Sequence, residues 1–242
     1  MRTWVEINKE NLKYNVLKLK ETANNREVLG VVKANAYGLG SIEIAKILKE
    51  VGVKLFGVAN LEEAIELQEA GIKDKILILG ASFEDELIEA TKRGIHIAIS
   101  SMAQLQFLVD NNLKPNIHLK FDTGMTRLGF EVDEAQKVID YCKINNLNLV
   151  GIFSHLSDSD GNTVETKNFT LEQIEKFKKI VNSLNLEYIH ISNSAGITNF
   201  HDDILGNLVR LGIGMYSFTG NKKTPYLKNI FTIKSRVLFI KK

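Results

Sequence analysis

The residue most able to do chemistry in this chain is a lysine that closes an apolar run. Lys33 follows Val28, Leu29, Val31 and Val32, and the chain continues as Ala-Asn-Ala-Tyr-Gly-Leu-Gly. A lysine at the end of a buried strand loses solvation, which favours its neutral, nucleophilic amine. Such an amine condenses with aldehydes. Taken alone, the stretch slightly favours a plain strand whose last lysine reaches solvent, so its surroundings must decide.

Polar residues also stand at the ends of later apolar runs. Lys120 and Asp122 end one run and precede Arg127 in Asp-Thr-Gly-Met-Thr-Arg-Leu-Gly, and His155 ends the next run. Arg210 begins a later Arg-Leu-Gly-Ile-Gly segment. Each has an ordinary structural interpretation: a core histidine, an arginine in an ion pair, or a lysine whose stem runs along apolar surface toward solvent. Their meaning depends on the elements that position them.

Eight short runs of apolar and β-branched residues recur along the chain. They are mostly continuous rather than alternating, which is typical of strands that are buried on both faces. The eight predicted strands comprise residues 28–33, 55–59, 75–80, 96–100, 116–122, 149–155, 188–194 and 208–216.

Helical patterns fill most of the gaps between these runs. Eight buried strands, nearly all separated by a helix, predict an α/β chain that forms a (β/α)8 TIM barrel. An open doubly wound sheet is the structural competitor, and we disfavour it because no Gly-x-Gly-x-x-Gly follows any strand. Between residues 195 and 206 we expect at most a short helix. The predicted helix starts are Ser41, Asn60 with Glu63, Ser82, Ser101, Asp133, and Thr170 with Gln173.

The barrel places the candidate residues together. Active sites of such barrels lie at the C-terminal ends of the strands, and phosphate sites usually follow strands seven and eight. There, Ser194 can donate a hydroxyl, and Gly212 and Gly214 allow backbone amides to approach a phosphate closely. A lysine that forms Schiff bases, a phosphate pocket and two arginines at one rim point to pyridoxal phosphate. Their coincidence at one rim carries more weight than any single residue.

Composition excludes several classes of function. The 242 residues are 44% hydrophobic and 25% charged with a formal charge of +2, so neither a nucleic acid nor a membrane surface is expected as partner. Cys142 is the only cysteine, and the N-terminus lacks a signal-peptide core, so we expect a cytoplasmic protein. No metal is expected, because the five histidines do not pair at metal-ligand spacing and residues 157–167 fit a polar surface loop better than a calcium loop.

Two strand-like runs, residues 3–8 and 231–240, are left over from a closed barrel. We expect residues 1–8 and 229–242 to belong to a second, β-rich domain that the chain does not complete, with the barrel spanning residues 9–228. Two short edge strands on the barrel surface are the alternative.

Several motifs give the chain a family resemblance. The segment Val-Val-Lys-Ala-Asn-Ala-Tyr-Gly-Leu-Gly resembles the cofactor-lysine signature of the alanine racemase family, in its pyridoxal-phosphate barrel domain. Lys-Phe-Asp-Thr-Gly-Met-Thr-Arg-Leu-Gly, Phe-Ser-His, His-Ile-Ser-Asn-Ser-Ala and Val-Arg-Leu-Gly-Ile-Gly-Met-Tyr match the family's later motifs in the right order. The match covers almost the whole chain.

This resemblance implies a role for each candidate residue. Lys33 would bind the cofactor aldehyde and act as one of two acid/base groups, and Arg127 would reach the cofactor's phenolic oxygen and the substrate carboxylate. Arg210 would face the pyridine nitrogen, supported by His155. Lys120 matches a position that is carbamylated in some members. The remaining cofactor-binding residues implied are Tyr37, Asn193, Ser194, Gly212 and Ile213.

The implied function is interconversion of L- and D-alanine by two-base proton transfer at Cα, which supplies D-alanine for peptidoglycan. In this family the second base is a tyrosine from a C-terminal β domain of the partner subunit in a homodimer, and no tyrosine here matches that motif. The chain is therefore expected to hold the cofactor half of a racemase, as a fragment or a natural short form.

Three alternatives stay open. The first is a racemase that also accepts serine. The second is a stand-alone barrel that stores or delivers pyridoxal phosphate, although such proteins lack Ala-Asn-Ala-Tyr-Gly. The third is a related decarboxylase, which is disfavoured because its ring-nitrogen partner is acidic, whereas the matching residue here is Arg210.

Overall fold

A computed structural model describes residues 2–217 and 224–241 of the chain. Eight parallel strands form its central sheet, and neighbouring strands pair in the order β8-β7-β6-β5-β4-β3-β2-β9. The sheet closes between its two ends, where Arg210 N donates to Ser192 O at 3.0 Å. The predicted (β/α)8 barrel is thus confirmed. Its strands are β2 (Glu27–Val31), β3 (Leu55–Val58), β4 (Lys75–Ile78), β5 (His96–Ile99), β6 (Ile117–Lys120), β7 (Leu149–Phe153), β8 (Tyr188–His190) and β9 (Leu208–Leu211).

Helices alternate with these strands and cover the outside of the barrel. No helix among the described residues combines the length and the apolar character needed to cross a bilayer. The helices are α1 (Lys9–Thr22), α2 (Lys33–Gly38), α3 (Ser41–Glu50), α4 (Leu61–Glu69), α5 (Glu84–Lys92), α6 (Met102–Asp110), α7 (Ala135–Ile144), α8 (Val164–Val181) and α9 (Ser194–Asn199).

The core has an outer and an inner layer, which explains why the strands are apolar on both faces. The outer cluster lies between strands and helices and includes Phe56, Leu67 and Phe177. The inner cluster fills the barrel and includes Leu29 and Leu77. Because most strands are apolar on both faces, alternation is lost and continuous hydrophobic runs result, whereas β5 and β6, which the structure describes in full, contribute no side chain to the inner cluster.

The strands end earlier than their apolar runs predict. The eighth run extends to residue 216, whereas β9 ends at Leu211, and the sixth run extends to His155, whereas β7 ends at Phe153. One residue beyond β7, Ser154 N still donates to His190 O of β8, but further along such segments backbone groups pair with loops; Asp122 N after β6, for example, donates to Phe130 O. The predicted site residues therefore lie beyond the strand ends, on loops or in the short helices α2 and α9, except Lys120 and Arg210, which lie in strands.

Three predicted helix starts are wrong. Helix α5 begins after Phe83, one residue beyond Ser82, because Glu86 accepts the Phe83 N–H. Asp133 lies inside a 3-10 turn at Val132–Glu134 that precedes α7.

The largest of these errors concerns α8. Its N-cap is Thr163, whose hydroxyl accepts the Thr166 N–H, so Thr170 and Gln173 lie inside the helix. The Thr170 hydroxyl donates back to Thr166 O at 2.9 Å, as a threonine within a helix commonly does. The predicted starts at Asn60 and Ser101 are confirmed.

The two leftover runs pair with each other outside the barrel. Strand β1 (Thr3–Ile7) is antiparallel to β10 (Phe231–Ser235) in a separate two-stranded sheet. The predicted strand at residues 231–240 is therefore shortened to Ser235. Assignment of this sheet to a second domain, and the domain boundaries themselves, stay predictions.

Candidate active site

A single cavity of about 1250 Å³ opens at the C-terminal ends of the barrel strands. Ten of the residues that the sequence singled out for chemistry line it, although they come from five different strand ends or the segments that follow them. They are Lys33, Tyr37, Lys120, Arg127, His155, Asn193, Ser194, Arg210, Gly212 and Ile213.

Lys33 enters this cavity at the start of an unusual backbone turn. The four residues that follow it, Ala34 to Tyr37, all have φ between 51° and 56°, and together they form one turn of left-handed helix. Left-handed backbone costs an L-residue roughly 1–2 kcal/mol, so four in succession need outside support. Because Lys33 and Tyr37 are four residues apart, one helical turn brings both side chains to the cavity.

The surroundings of Lys33 favour its neutral amine. Partial burial lowers the pKa of Lys33, and the cations of Arg127 and Arg210 lower it further, whereas the carboxylate of Glu63 opposes the shift. A larger fraction of this lysine is therefore unprotonated at neutral pH than of an exposed lysine.

Hydroxyl and amide groups form a cradle around Gly212. Ser194 Oγ accepts the N–H groups of Gly212 and Gly214, both at 3.1 Å, so its own proton is left to donate outward. A Cβ on Gly212 would lie 3.2 Å from the Tyr37 hydroxyl. Burial raises the pKa of Tyr37, which keeps that hydroxyl protonated. The hydroxyls of Tyr37 and Ser194 thus lie on either side of Gly212, which has no side chain to fill the space between them. This arrangement suits a bound anion.

Arg210 is fixed inside the barrel at both terminal nitrogens. Nη1 donates to His190 Nδ1 at 2.8 Å, and Nη2 donates to Ser154 O at 2.8 Å, Ile191 O at 2.7 Å and His155 Nδ1 at 3.1 Å. Burial lowers the pKa of Arg210 to about 9, so the guanidinium is still protonated at neutral pH.

This network determines the protonation of the two histidines. A guanidinium can only donate, so His155 and His190 accept at Nδ1 and carry their protons on Nε2. Burial lowers the pKa of both histidines well below its usual value, with the charge of Arg210 next in importance, so both are neutral. Nε is the guanidinium nitrogen that makes no hydrogen bond within the described residues, so its N–H is left to donate to a group bound in the cavity that Arg210 lines.

Arg127 lies on a loop that an aspartate organises. The carboxylate of Asp122 accepts N–H groups from Gly124 at 2.8 Å, Thr126 at 3.0 Å and Arg127 at 2.9 Å. Burial alone would raise the pKa of Asp122, but these backbone donors lower it below its usual value. The ionised carboxylate thus holds the segment that carries Arg127 to the cavity mouth.

Lys120, at the end of β6, is the second lysine of the cavity. Burial lowers its pKa to about 8, and the charges of Arg127, Arg210 and Lys33 act in the same direction. Its amine lies 5.7 Å from the ring centroid of Phe153. Lys120 therefore has an appreciable neutral fraction near pH 8 and is a possible nucleophile.

With this geometry in place, comparison with known proteins identifies the family. Residues 7–219 match the family model described as alanine racemase, N-terminal domain. An alanine racemase of Fusobacterium nucleatum subsp. nucleatum is 91% identical over 242 residues, which is all of this chain and 68% of that protein. The chain belongs to the alanine racemase family.

Two more distant members of the alanine racemase family agree. The chain is 37% identical to an alanine racemase of Clostridium kluyveri, and the match covers 98% of this chain and 64% of that protein. It superimposes on the alanine racemase of Clostridium difficile 630 in complex with cycloserine with a TM-score of 0.91 and 31% identity, covering all of this chain and 70% of that one. The chain thus spans about two thirds of the length of these family members.

Sequence reasoning missed the residues that support the racemase-family site from behind. The side-chain amide of Gln173 accepts the Ser157 N–H at 3.0 Å and donates to His155 O at 3.1 Å, so it holds the loop that carries His155. Glu63 was read only as a helix-start residue, but it also binds the Lys33 turn. Both are polar side chains of outer helices, where exposure is the ordinary expectation, so only the three-dimensional contact reveals them.

Proposed function

We propose that this chain forms the pyridoxal-phosphate-binding half of a racemase that interconverts L- and D-alanine. Three complementary groups in one cavity carry this proposal: the amine of Lys33, the donor cradle around Gly212, and the Nε–H of Arg210. They match in kind an aldehyde, a phosphate and a ring nitrogen acceptor, which are the three polar ends of that cofactor.

The donor set fits the cofactor on the cavity's own chemistry. The hydroxyls of Tyr37 and Ser194 flank Gly212, where any side chain would crowd the Tyr37 hydroxyl, so the glycine leaves space for a phosphate to which both hydroxyls can donate. We assign Gly212 and Ile213 to the phosphate, and Asn193 to support. Asn193 donates to Leu156 O at 3.1 Å and accepts from Ser159 Oγ at 2.8 Å, so it ties the loops after β7 and β8 together.

Lys33 and Arg127 are the residues we assign to the amino acid. When bound, pyridoxal phosphate supplies an aldehyde that condenses with amines and a ring that makes the α C–H of an amino acid acidic. The neutral amine of Lys33 then removes and returns that proton on one face of Cα, because its lowered pKa leaves it able to accept. Arg127 pairs with the substrate carboxylate.

Arg210 restricts the reaction to proton transfer. It keeps its proton at neutral pH, so a ring nitrogen held against Nε would accept a hydrogen bond from it and would stay unprotonated. An unprotonated ring withdraws fewer electrons, which disfavours transamination and other side reactions. Neutral His155 supports this arrangement by accepting from Nη2.

Racemisation also needs an acid/base group on the opposite face of Cα. Following the family resemblance, we assign this group to a tyrosine of the partner subunit in a homodimer. The cytoplasm remains the predicted compartment, and serine remains the alternative substrate.

Lys120 is proposed to carry a carbamate. Its neutral amine attacks carbon dioxide, forming the N–C bond and releasing one proton, and the new carboxylate lies among the cations of Arg127 and Arg210. That anion would orient Arg127, as the resemblance implies.

The test is α-proton exchange. Purified protein with added pyridoxal phosphate is mixed with D-alanine in heavy water, and loss of the α-proton signal is followed by NMR. We expect exchange that falls by roughly 10²- to 10⁴-fold in Lys33→Ala, because that variant lacks the base. Lys46→Ala, which removes an exposed lysine of α3, serves as the matched control and keeps the wild-type rate.

The outcomes separate the candidate functions. Exchange without inversion supports the proposed half-site, and joining the chain to the remaining part of the Fusobacterium nucleatum relative is then expected to give inversion. Equal exchange in wild type and Lys33→Ala would overturn the assignment of the base. Cofactor binding with no exchange in either the short or the joined protein would favour the storage barrel instead.

A further inference from the structure

Glu63 connects two separate backbone segments at the cavity rim. Its Oε1 accepts the Ala34 N–H at 2.6 Å, and its Oε2 accepts the Ala59 N–H at 2.7 Å. Ala34 directly follows Lys33, and Ala59 directly follows β3. The two oxygens of one carboxylate therefore bind the backbone segments that follow two neighbouring strands, β2 and β3.

The position of Glu63 is itself fixed. It lies in the first turn of α4, and its own N–H donates to Asn60 Oδ1, the N-cap side chain, at 3.1 Å. A capping glutamate usually reaches back to the backbone N–H at the helix start. Here one oxygen reaches one residue further back, to Ala59, and the other leaves the helix to reach Ala34.

The bond to Ala34 supports the left-handed turn at its entry. Inside the turn, Ala36 N donates to Val32 O, and at its exit Gly40 N and Ser41 N donate to the backbone and side chain of Asn35. Ala34 comes before the first of these bonds along the chain, and its N–H donates to Glu63 instead of to a residue of the turn. A helical turn leaves its first N–H groups without internal partners, so an outside acceptor there stabilises the turn.

We propose that Glu63 is a positioning residue for Lys33, which holds the left-handed turn against β3 and thereby fixes the direction in which the lysine amine enters the cavity. The consequence for catalysis rests on the proposed function, but the positioning itself does not.

Charge gives Glu63 a second effect on the same lysine. The titratable side chains that share the cavity with Lys33 are Arg127, Arg210, Lys120, Asp160, Tyr37 and His155. Among the charges that act on Lys33, Glu63 is the one that raises its pKa, whereas Arg127 and Arg210 lower it. Removing the carboxylate is therefore expected to lower the pKa of Lys33 further.

Two substitutions separate geometry from charge. Glu63→Gln keeps the length of the side chain but removes its charge. It also replaces one acceptor oxygen by an amide NH2, which would face a backbone N–H with no acceptor between them. Glu63→Asp keeps the charge but is too short to reach Ala34 and Ala59 together. Glu62→Gln is the matched control, because Glu62 is an exposed neighbour in the same helical turn.

The first readout is the pH dependence of amine labelling at Lys33 in the cofactor-free protein, measured by peptide mass spectrometry against the exposed Lys114. We expect the midpoint of labelling to fall in Glu63→Gln and to stay nearer the wild-type value in Glu63→Asp. The second readout is α-proton exchange, which we expect to fall by roughly ten- to hundred-fold in both variants, because the amine is misplaced in both.

Glu63→Gln with wild-type labelling and wild-type exchange would overturn the proposal, as would an equal change in Glu62→Gln. Cooperative unfolding in urea is checked for each variant, and if Glu63→Gln does not fold, Glu63→Asp alone must show reduced exchange. If neither the short nor the joined wild-type protein exchanges an α-proton, a changed labelling rate of Lys33 in both Glu63 variants at high pH, where the amine is neutral, would support positioning and reject the proposed function. Normal α-proton exchange in the wild type and in both Glu63 variants would support the proposed function and reject the positioning role of Glu63.

Discussion

Two segments at the barrel rim bring a basic side chain to the cavity, and each is held by a carboxylate that accepts backbone N–H groups. Asp122 holds the loop of Arg127 from within that loop, five residues away at most. Glu63 holds the turn after Lys33 from a different helix, 29 residues away in sequence. One support is local and the other is tertiary.

The difference has a consequence for what each loop depends on. The Arg127 loop carries its acceptor with it, so its shape is set as soon as its own residues fold. The left-handed turn after Lys33 is supported by a residue of α4, so its shape depends on the packing of α4 beside β2 and β3. The two basic side chains therefore differ in how far a distant change can displace them, and four predictions test this difference.

The largest effect is expected at Gly129, where the Arg127 loop closes. A Cβ there would lie 2.6 Å from Asp122 N and 2.7 Å from Phe121 C, and φ is +136°. Backbone atoms cannot move aside as a flexible side chain can, so Gly129→Ala should lower the free energy of unfolding by roughly 2–4 kcal/mol. Urea unfolding followed by circular dichroism measures this.

Gly71→Ala is the matched control for Gly129→Ala. Gly71 also has positive φ, +84°, but nothing lies within 4 Å of its Cβ position. It should therefore cost only about 1 kcal/mol, from backbone strain alone. Equal losses at the two glycines would contradict the idea that the closed loop leaves no space.

The next effect concerns the local carboxylate. Asp122→Asn replaces one acceptor oxygen by a donor that faces backbone N–H groups, so we expect a loss of about 1–3 kcal/mol at neutral pH. The backbone donors lower the folded-state pKa of Asp122 below its unfolded value. Its ionised form therefore stabilises the protein above pH ~4, and this contribution is lost as pH falls through the folded-state pKa.

Unfolding free energies of wild type and Asp122→Asn, measured from pH 7 to pH 3, check that sign. Their difference should be constant near neutral pH and shrink in acid. A difference that grows in acid would show that Asp122 is not held as a carboxylate. Asp133→Asn, at an aspartate on the surface turn before α7, is the control and should change little.

These two supports also show where sequence reasoning succeeds. The segment Asp-Thr-Gly-Met-Thr-Arg contains both the acceptor and the cation of its loop, so its function as a unit is visible in the sequence. The Lys33 motif is visible too, but its support is not, because Glu63 is separated from it by a helix and a strand. Asn60 and Glu63 were predicted as a helix start, which is confirmed, yet the second role of Glu63 depends on packing.

The barrel was predictable for a related reason. Eight continuous apolar runs follow directly from burial on both faces, and each run corresponds to one observed strand. The ends of the strands were not predictable, because apolar residues such as Met215 and Tyr216 continue beyond β9 into the buried turn after it. Hydrophobicity reports burial, and it does not report whether the backbone is still paired in a sheet.

Gln173 is the third test, at another tertiary support. Gln173→Ala leaves the Ser157 N–H and His155 O without their partner in a largely buried place, so we expect a loss of about 1–3 kcal/mol, toward the lower end because both groups can relax toward solvent. Gln136→Ala, at an exposed glutamine of α7, should cost within about 0.5 kcal/mol. Equal losses in urea would show that the loop of His155 does not depend on α8.

The smallest expected effect is also the most specific test of the comparison, because it pairs each carboxylate with its own lysine. Glu63 raises the pKa of Lys33, and Asp122 raises the pKa of Lys120, which burial and the neighbouring cations bring down to about 8. In carbon-dioxide-depleted buffer, Asp122→Asn should therefore lower the labelling midpoint of Lys120, and Glu63→Gln should lower that of Lys33.

The two lysines also repel each other when both are charged. Each substitution increases the neutral fraction of the nearer lysine, which weakens this repulsion and slightly raises the pKa of the other lysine. The crossed effects are consequently smaller than the direct ones and opposite in sign. If either substitution shifted both lysines equally and in the same direction, the two loops would respond to a shared change in the cavity, and the distinction between a local and a tertiary support would not hold.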